Sequence, residues 1–125
     1  MRRIVSYGAY VPVFRLDRNL IANAWGRNSM GGERSVANNE EDTVTMSVKA
    51  ATNCLNGSER EEVEGLFFAS TVAPYKEKMN STLIATALDL RLEIATADFA
   101  HSIRAGTGAL RAALSSVESG AATGF

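Results

Sequence analysis

The part of this sequence whose residue types could carry out chemistry is a short turn near residue 100, between a predicted strand and a predicted helix. The turn contains His101, the only histidine of the chain, followed directly by Ser102. A sharp strand-to-helix turn often presents a nucleophile, because its side chains stand exposed at the positive end of the helix dipole. The residue types therefore raise the question of whether a serine activated by a histidine occupies this turn.

A working pair of His101 and Ser102 would require an unusual backbone. Consecutive residues of an extended segment point to opposite sides, so a hydrogen bond between the two side chains needs a tight turn. The nearest acid in sequence is Asp98, and no acid is obviously placed to orient the imidazole. We therefore interpret His101 as a buried or packing histidine and keep the pair as the alternative.

Three segments have the composition of β-strands. Residues 93–99 alternate and lead into the turn, and residues 63–72 have the unbroken apolar middle of a strand covered by helices on both faces. Residues 4–11 also favour a strand, closed by a proline. Gly8 within this third segment indicates a bulge or a close backbone approach.

The first predicted helix follows the amino-terminal strand. Asp17 is a favourable N-cap, an apolar stripe follows, and Gly26 lies where a C′ glycine is expected. Residues 27–39 are polar and contain two adjacent glycines, which predicts a surface loop.

Three further helices are predicted between and after the strands. The second helix is predicted to start with the acidic residues 40–42, capped by Asn39, and the third to be capped by Asn80 or Ser81. The last is rich in alanine and leucine and starts near Arg104. Alternation of strands and helices in this order predicts a layered α/β domain.

Composition narrows the classes of protein to which the chain can belong. A length of 125 residues fits one small domain, and a net charge of −1 gives no basic surface for nucleic acid. No apolar stretch is long enough for a membrane span or a signal peptide. The single cysteine, Cys54, fits a reducing compartment, so we expect a cytoplasmic protein. One cysteine and one histidine are too few for a structural zinc site, so no metal is expected.

Three separated motifs together resemble a known family. Residues 4–12 (IVSYGAYVP), 41–48 (EDTVTMSV) and 105–107 (AGT) are similar to the amino-terminal part of 3-hydroxy-3-methylglutaryl-CoA (HMG-CoA) synthases of archaeal and related bacterial type, in the thiolase superfamily. The resemblance covers nearly the whole chain. It implies a thiolase-like layered α/β/α fold, with residues 1–125 as a single amino-terminal half-domain that has a small mixed sheet.

The resemblance also implies an acyl-transfer chemistry that this chain does not retain. In the family a cysteine takes the acyl group from acyl-CoA, a glutamate acts as general acid/base, and a histidine of the second half orients the other substrate. The matching position of the nucleophile is Ile103, and that of the acid/base is Thr71. Isoleucine cannot form a thioester, and threonine is no comparable proton donor near neutral pH. The second half, with its histidine, is not in this sequence.

These departures lead to three functional hypotheses. The favoured one combines a catalytically silent HMG-CoA synthase-like subunit or fragment with an assembly module, whose expected partner is a second copy or a complementary thiolase-fold chain. The alternative is an acyl-CoA condensing enzyme completed by another chain or by Ser102 and His101 as substitutes. No cofactor is expected other than a CoA thioester as ligand, and neither nucleic acid nor membrane is an expected partner.

Overall fold

Helices and strands alternate along the chain in the computed structural model, which describes residues 3–57 and 60–125. A short 3₁₀ helix, Arg60–Glu62, precedes the third strand. The elements are β1 (Arg15–Asp17), α1 (Arg18–Ala24), β2 (Glu33–Ser35), α2 (Thr43–Cys54), β3 (Gly65–Ser70), α3 (Asn80–Ala87), β4 (Ala95–Ala100) and α4 (Ala105–Glu118).

The strands of the described residues form two separate two-stranded sheets. Strands β3 and β4 are parallel, with a register that runs from Gly65 opposite Ala95 to Ser70 opposite Ala100. These strands lie within the predicted segments 63–72 and 93–99, apart from the last residue of β4. Strands β1 and β2 are antiparallel. The sequence did not predict this antiparallel pair, because β1 and β2 are short and polar, α1 lies between them, and β2 falls inside the expected loop 27–39.

Helices cover both faces of the parallel sheet. Phe68 belongs to a buried cluster with Val44 of α2 and Ile84 of α3, so these two helices lie on its side of the sheet. Phe67 points to the opposite face, because successive residues of a strand alternate. There its ring lies 5.5 Å from that of Phe99, and a Cβ at Gly108 of α4 would lie 3.5 Å from the same Phe99 ring. The arrangement is the α/β/α layering expected from the sequence.

The amino-terminal segment is not a strand, which corrects the prediction for residues 4–11. Among the described residues no strand pairs with it, and it lies against α2 instead. Ser6 Oγ donates to the carbonyl of Cys54 at 2.6 Å, and Asn53 Nδ2 donates to the carbonyl of Ala9 at 2.9 Å. Residues 4–11 have the composition of a strand, but a strand requires a partner to satisfy its backbone groups, and α2 cannot supply a ladder.

A cluster of three side chains also joins the amino-terminal segment to α2. The Tyr10 hydroxyl donates to the Glu41 carboxylate, and Lys49 Nζ lies 3.3 Å from both groups. The hydrogen bond from Tyr10 lowers the pKa of Glu41, and the hydrogen bonds to Tyr10 and Glu41 raise the pKa of Lys49. The acidic residues before α2 therefore hold the segment, as well as lying near the helix start.

Gly8 provides the close backbone approach that the sequence predicted. A Cβ at this position would overlap the carbonyl oxygen of Ala50 and would lie 2.9 Å from the Cα of Cys54. Because both contacts are with the backbone of α2, no side-chain movement can relieve them.

We expect Gly8→Ala to reduce the free energy of unfolding by about 2 kcal/mol, because an added methyl group forces the segment away from α2. Urea denaturation monitored by circular dichroism measures this change. Gly106→Ala is the matched control, since a Cβ at Gly106 meets nothing within 4 Å. Equal stability of Gly8→Ala and the natural chain would contradict the packing described here.

The structure confirms the predicted N-cap of α1 and corrects the predicted N-caps of α2 and α3. Asp17 caps α1 by accepting from the backbone N–H of Asn19 at 2.8 Å, and Gly26 follows α1 with a positive φ of 61°. Helix α2 begins only at Thr43, because Asp42 is its N-cap and forms a capping box with Thr45. The acidic residues thus precede α2 instead of forming its first turn.

The start of α3 corrects the prediction that Asn80 or Ser81 is its cap. Both residues lie inside the helix, and Met79 at the N-cap position has no capping side-chain bond. A carboxylate from β4, described below, replaces the local cap.

No helix in the described part of the chain has the length and apolar character that a membrane crossing requires.

Candidate functional site

The carboxyl ends of the two parallel strands bring the two sequence-predicted site segments to one edge of the sheet. Ser70 pairs with Ala100 at the last position of the register, so the chain leaves the sheet at Thr71 and at His101 on the same side. Loops after neighbouring parallel strands are common locations of binding sites. The topology therefore brings the segments of Thr71 and Ile103 to the same edge of the sheet.

The turn after β4 is tight and strained at one residue. His101 has a φ of 63°, which is costly for a residue with a Cβ. The backbone N–H of Ala105 donates to the carbonyl of Ser102 at 3.1 Å, and that of Arg104 donates to Ser102 Oγ at 3.1 Å. The serine hydroxyl therefore accepts a hydrogen bond that prepares the start of α4. Between the described side chains of His101 and Ser102 there is no hydrogen bond. His101 is exposed, which corrects its interpretation as a buried or packing histidine.

Ile103 lies at the tip of this turn, two residues before α4 begins. Its side chain is 93% exposed. A large hydrocarbon side chain gains nothing from this position through packing within the chain. A nucleophile at the same place would be accessible and close to the unpaired N–H groups of the first helical turn. Position 103 is therefore suited to a nucleophile, but the isoleucine that occupies it cannot act as one.

The turn after β3 is held by local hydrogen bonds. Ser70 Oγ donates to the carbonyl of Val72 at 2.8 Å, and the hydroxyl of Thr43 donates to the same carbonyl at 3.0 Å. Thr71 is exposed between these fixed points. Its hydroxyl has no ionisable partner among the described residues that would let it replace a catalytic carboxylate.

A polar network that joins the partly buried Asp98 to the buried Asn80 and Ser81 lies next to both turns, and no local sequence pattern predicted it. The Asp98 carboxylate of β4 accepts from the backbone N–H of Asn80 at 2.7 Å and of Ser81 at 2.8 Å, and from Asn80 Nδ2 at 2.8 Å. Burial by itself would raise the pKa of Asp98, but the hydrogen bonds from Asn80 and Ser81 outweigh it and lower that pKa below its ordinary value. Asp98 is thus turned toward α3, so it does not orient His101.

A second feature that the sequence analysis missed is a large cavity beside α1. Its volume is about 570 Å³, within the range of small-molecule sites. Three arginines line it, and none of them forms an ion pair with a described residue. Trp25, the only tryptophan of the chain, also lines it and is 74% exposed. The arginines are Arg18, Arg27 and Arg34. The only sequence feature that could have indicated this cavity is the occurrence of several arginines in and around the expected loop 27–39.

An apolar cavity of about 290 Å³ lies between α2, α4 and the start of β3. It is lined almost entirely by aliphatic and aromatic side chains, among them Leu66, Leu110 and Phe125. Cys54 also lines it and is partly buried. Within residues 3–57 and 60–125, no group of three or more His, Cys, Asp or Glu side chains is arranged to hold a metal ion.

Comparison with solved structures defines the class of the protein. The fold matches β-ketoacyl-[acyl carrier protein] synthase III from Thermus thermophilus with a TM-score of 0.83 and 23% identity, over 97% of this chain and 40% of that one. It also matches MvaS in complex with 3-hydroxy-3-methylglutaryl coenzyme A, with a TM-score of 0.81 and 23% identity, over 93% of this chain and 30% of that one. The chain has a thiolase-like fold.

Sequence comparison then gives the particular relatives. The chain is 40% identical to the HMG-CoA synthase of Thermococcus sibiricus over an alignment of 122 positions. It is 35% identical to that of Methanothermobacter thermautotrophicus over an alignment of 129 positions, gaps included. These alignments cover 95% and 96% of this chain but only 35% and 37% of the relatives. No family model matches the chain. The resemblance to HMG-CoA synthases is confirmed, and the chain spans about 35% of the length of these relatives.

Proposed function

We propose that this HMG-CoA synthase-like, thiolase-fold chain binds acyl-CoA but does not transfer the acyl group on its own. The observation that carries the proposal is the exposed hydrocarbon side chain of Ile103 at the head of α4, where the resemblance assigns the nucleophile. Thr71, at the position assigned to the acid/base, lacks a carboxylate as well. A fold retained without its reactive groups still offers surfaces for a ligand and for a partner.

Incubation of the purified chain with radiolabelled acetyl-CoA, followed by denaturation, tests whether the chain lacks acyl transfer of its own. We expect no covalent label, because formation of an acyl-enzyme needs a nucleophile that attacks the thioester carbonyl and releases CoA. Stable labelling would contradict the proposal. If label appears, its loss on Ser102→Ala would identify the alternative, in which Ser102 substitutes for the missing cysteine.

The arginine-lined cavity supports the ligand-binding part of the proposal. CoA carries three phosphate groups and an adenine ring, and guanidinium groups bind phosphate oxygens through paired charge-assisted hydrogen bonds. An exposed tryptophan next to these groups offers a face on which adenine can stack. Arg18, Arg27, Arg34 and Trp25 therefore have the chemistry that a CoA nucleotide requires.

We expect CoA to change the fluorescence of Trp25, and we expect Arg34→Ala to raise the Kd about tenfold, the cost of one charge-assisted phosphate contact. Fluorescence titration measures both effects without interference, since the chain has one tryptophan. Arg111→Ala is the control, because Arg111 is exposed on α4 outside the cavity. No fluorescence change up to millimolar CoA, or the same loss of affinity in the control, would contradict the cavity as the CoA site.

We further propose that the chain assembles with a second copy of itself. Among the described residues, the parallel sheet has only two strands, so both of its outer edges lack a partner strand. Large apolar side chains beside α2 are exposed as well, including Tyr7 at 88%. Sedimentation equilibrium at micromolar concentration tests the proposal, with a dimer as the expected result. A monomer over the whole concentration range would contradict it, and a complex formed only with a complementary thiolase-fold chain would replace the second copy.

A further inference from the structure

The buried network around Asp98 extends beyond the cap of one helix. Besides its contact with the carboxylate, Asn80 bonds to both sides of the Tyr75 backbone: Nδ2 donates to the carbonyl at 3.0 Å, and Oδ1 accepts from the N–H at 3.3 Å. The network therefore runs from β4 through α3 into the loop that follows β3. That loop lacks helix and strand, and it leads from Thr71 to the start of α3.

Capping alone does not account for Asn80. The backbone N–H groups of residues 80 and 81 satisfy the Asp98 carboxylate whatever side chain stands at position 80. Asn80 is only 1% exposed, and burial of an amide side chain is costly unless its donors and acceptor are paired. All of its polar atoms are paired, two of the contacts being to Tyr75. The side chain thus links the carboxylate to the loop.

We infer that Asp98 and Asn80 are positioning residues, which hold the loop after β3 in a fixed relation to the turn after β4. Asp98 lies five residues before Ile103 on the strand that leads into that turn, and Tyr75 lies four residues after Thr71. The Asn80 amide connects the two segments through one hydrogen bond to the Asp98 carboxylate and three to the loop, two with the Tyr75 backbone and one with the carbonyl of Lys78. Positions 71 and 103 keep a defined separation for this reason, although neither residue carries out chemistry. The inference rests on the proposed function only in treating positions 71 and 103 as the two parts of one site.

A distance measurement between the two turns tests the inference. Nitroxide labels on Thr71→Cys and Ile103→Cys, in a Cys54→Ala background, report the separation through dipolar broadening of the continuous-wave electron spin resonance spectrum, which suits two positions just beyond the paired residues Ser70 and Ala100. Both labelled positions are exposed. We expect one narrow distance distribution in this background. We expect the narrow distribution to be lost on Asn80→Ala, which frees Tyr75 while leaving the backbone N–H groups on the Asp98 carboxylate. Asp98→Asn is expected to have the same effect.

Asp17→Ala is the matched control, because it removes the N-cap of α1, and none of the described hydrogen bonds of Asp17 or Asn19 reaches the loop of Tyr75. It should leave the distribution narrow. A narrow distribution in Asn80→Ala would overturn the inference, since Asp98 would then only cap α3. Loss of the fold in both network variants would overturn it too, because a positioning pair is expected to be dispensable for folding. The measurement contains no CoA, so failure of the CoA titration leaves its outcome unaffected.

Discussion

Ile103→Cys is expected to change the chain from one that acetyl-CoA does not modify to one that carries a covalent acetyl group. The thiolate of the new side chain would attack the thioester carbonyl, forming a new thioester and releasing CoA as the thiol. Position 103 is highly exposed and lies two residues before α4, so the attacking atom is accessible to a large ligand. This gain of covalent label is the largest effect that we expect from a single substitution.

The same substitution is expected to produce an activated thiol. Unpaired N–H groups at the start of α4 and the adjacent Arg104 stabilise the thiolate, so its pKa should fall below the value of about 8.5 of a free cysteine. At pH 7, a pKa lower by about one unit raises the thiolate fraction roughly tenfold. The rate of alkylation by iodoacetamide as a function of pH measures this pKa, in a Cys54→Ala background.

Ser115→Cys supplies the matched control for both measurements. Ser115 is exposed on the same helix but lies near its carboxyl end, where the helix dipole opposes a negative charge. The thiol at position 115 should react more slowly at pH 7 and should accept no acetyl group. Equal reactivity at the two positions would show that the head of α4 has no special capacity to activate a nucleophile.

Asp98→Asn is expected to lower the free energy of unfolding by about 2 kcal/mol, because hydrogen bonds to a partly buried charged group contribute about that much. The carboxylate accepts three hydrogen bonds through two oxygens, and an asparagine amide has one oxygen and a donor in place of the other. Urea denaturation measures the loss. Asp42→Asn is the control, because it caps α2 through one N–H and asparagine is an equally good N-cap. A loss of similar size in the two variants would contradict the special role of Asp98.

The pH dependence of stability gives an independent test of the same residue. The pKa of Asp98 is lower in the folded chain than its ordinary value of 3.8. A carboxyl group with a lowered folded pKa contributes stability above its unfolded pKa and loses that contribution as pH falls through the folded value. The natural chain should therefore lose more stability than Asp98→Asn on acidification below about pH 4. Identical acid profiles would contradict the network.

Local sequence patterns predicted the elements that depend on neighbouring residues alone. The apolar run in residues 63–72 predicted β3 and helices on both of its faces, and α2, α3 and α4 provide these helices, although Ala69 within β3 is exposed. Asp17 capped α1 and Gly26 ended it because both effects act within one turn of helix. The prediction that Gly8 allows a close approach was confirmed for a similar reason, since the absence of a Cβ is visible in the sequence.

Contacts between distant segments could not be read in the same way. Residues 4–11 have the pattern of a strand, yet no described strand pairs with them, and pairing is a property of the partner. Asn80 and Ser81 have the residue types of helix caps, but Asp98 performs this role from 17 or 18 positions away along the chain. Nothing local distinguishes such a carboxylate from an exposed one.

The sequence by itself determined the layered α/β class, the relation to HMG-CoA synthases, and the presence of Ile103 and Thr71 at the positions that the resemblance assigns to the reactive groups. Each of these follows from the residue types and their order along the chain, without knowledge of which segments pack together. The tertiary structure alone decided that Asp98 binds the start of α3 and that three arginines and Trp25 line one cavity. The contact of Asp98 and the lining of the cavity depend on which segments pack together. That packing is determined by burial of apolar surface over the whole chain, so no single segment reveals it.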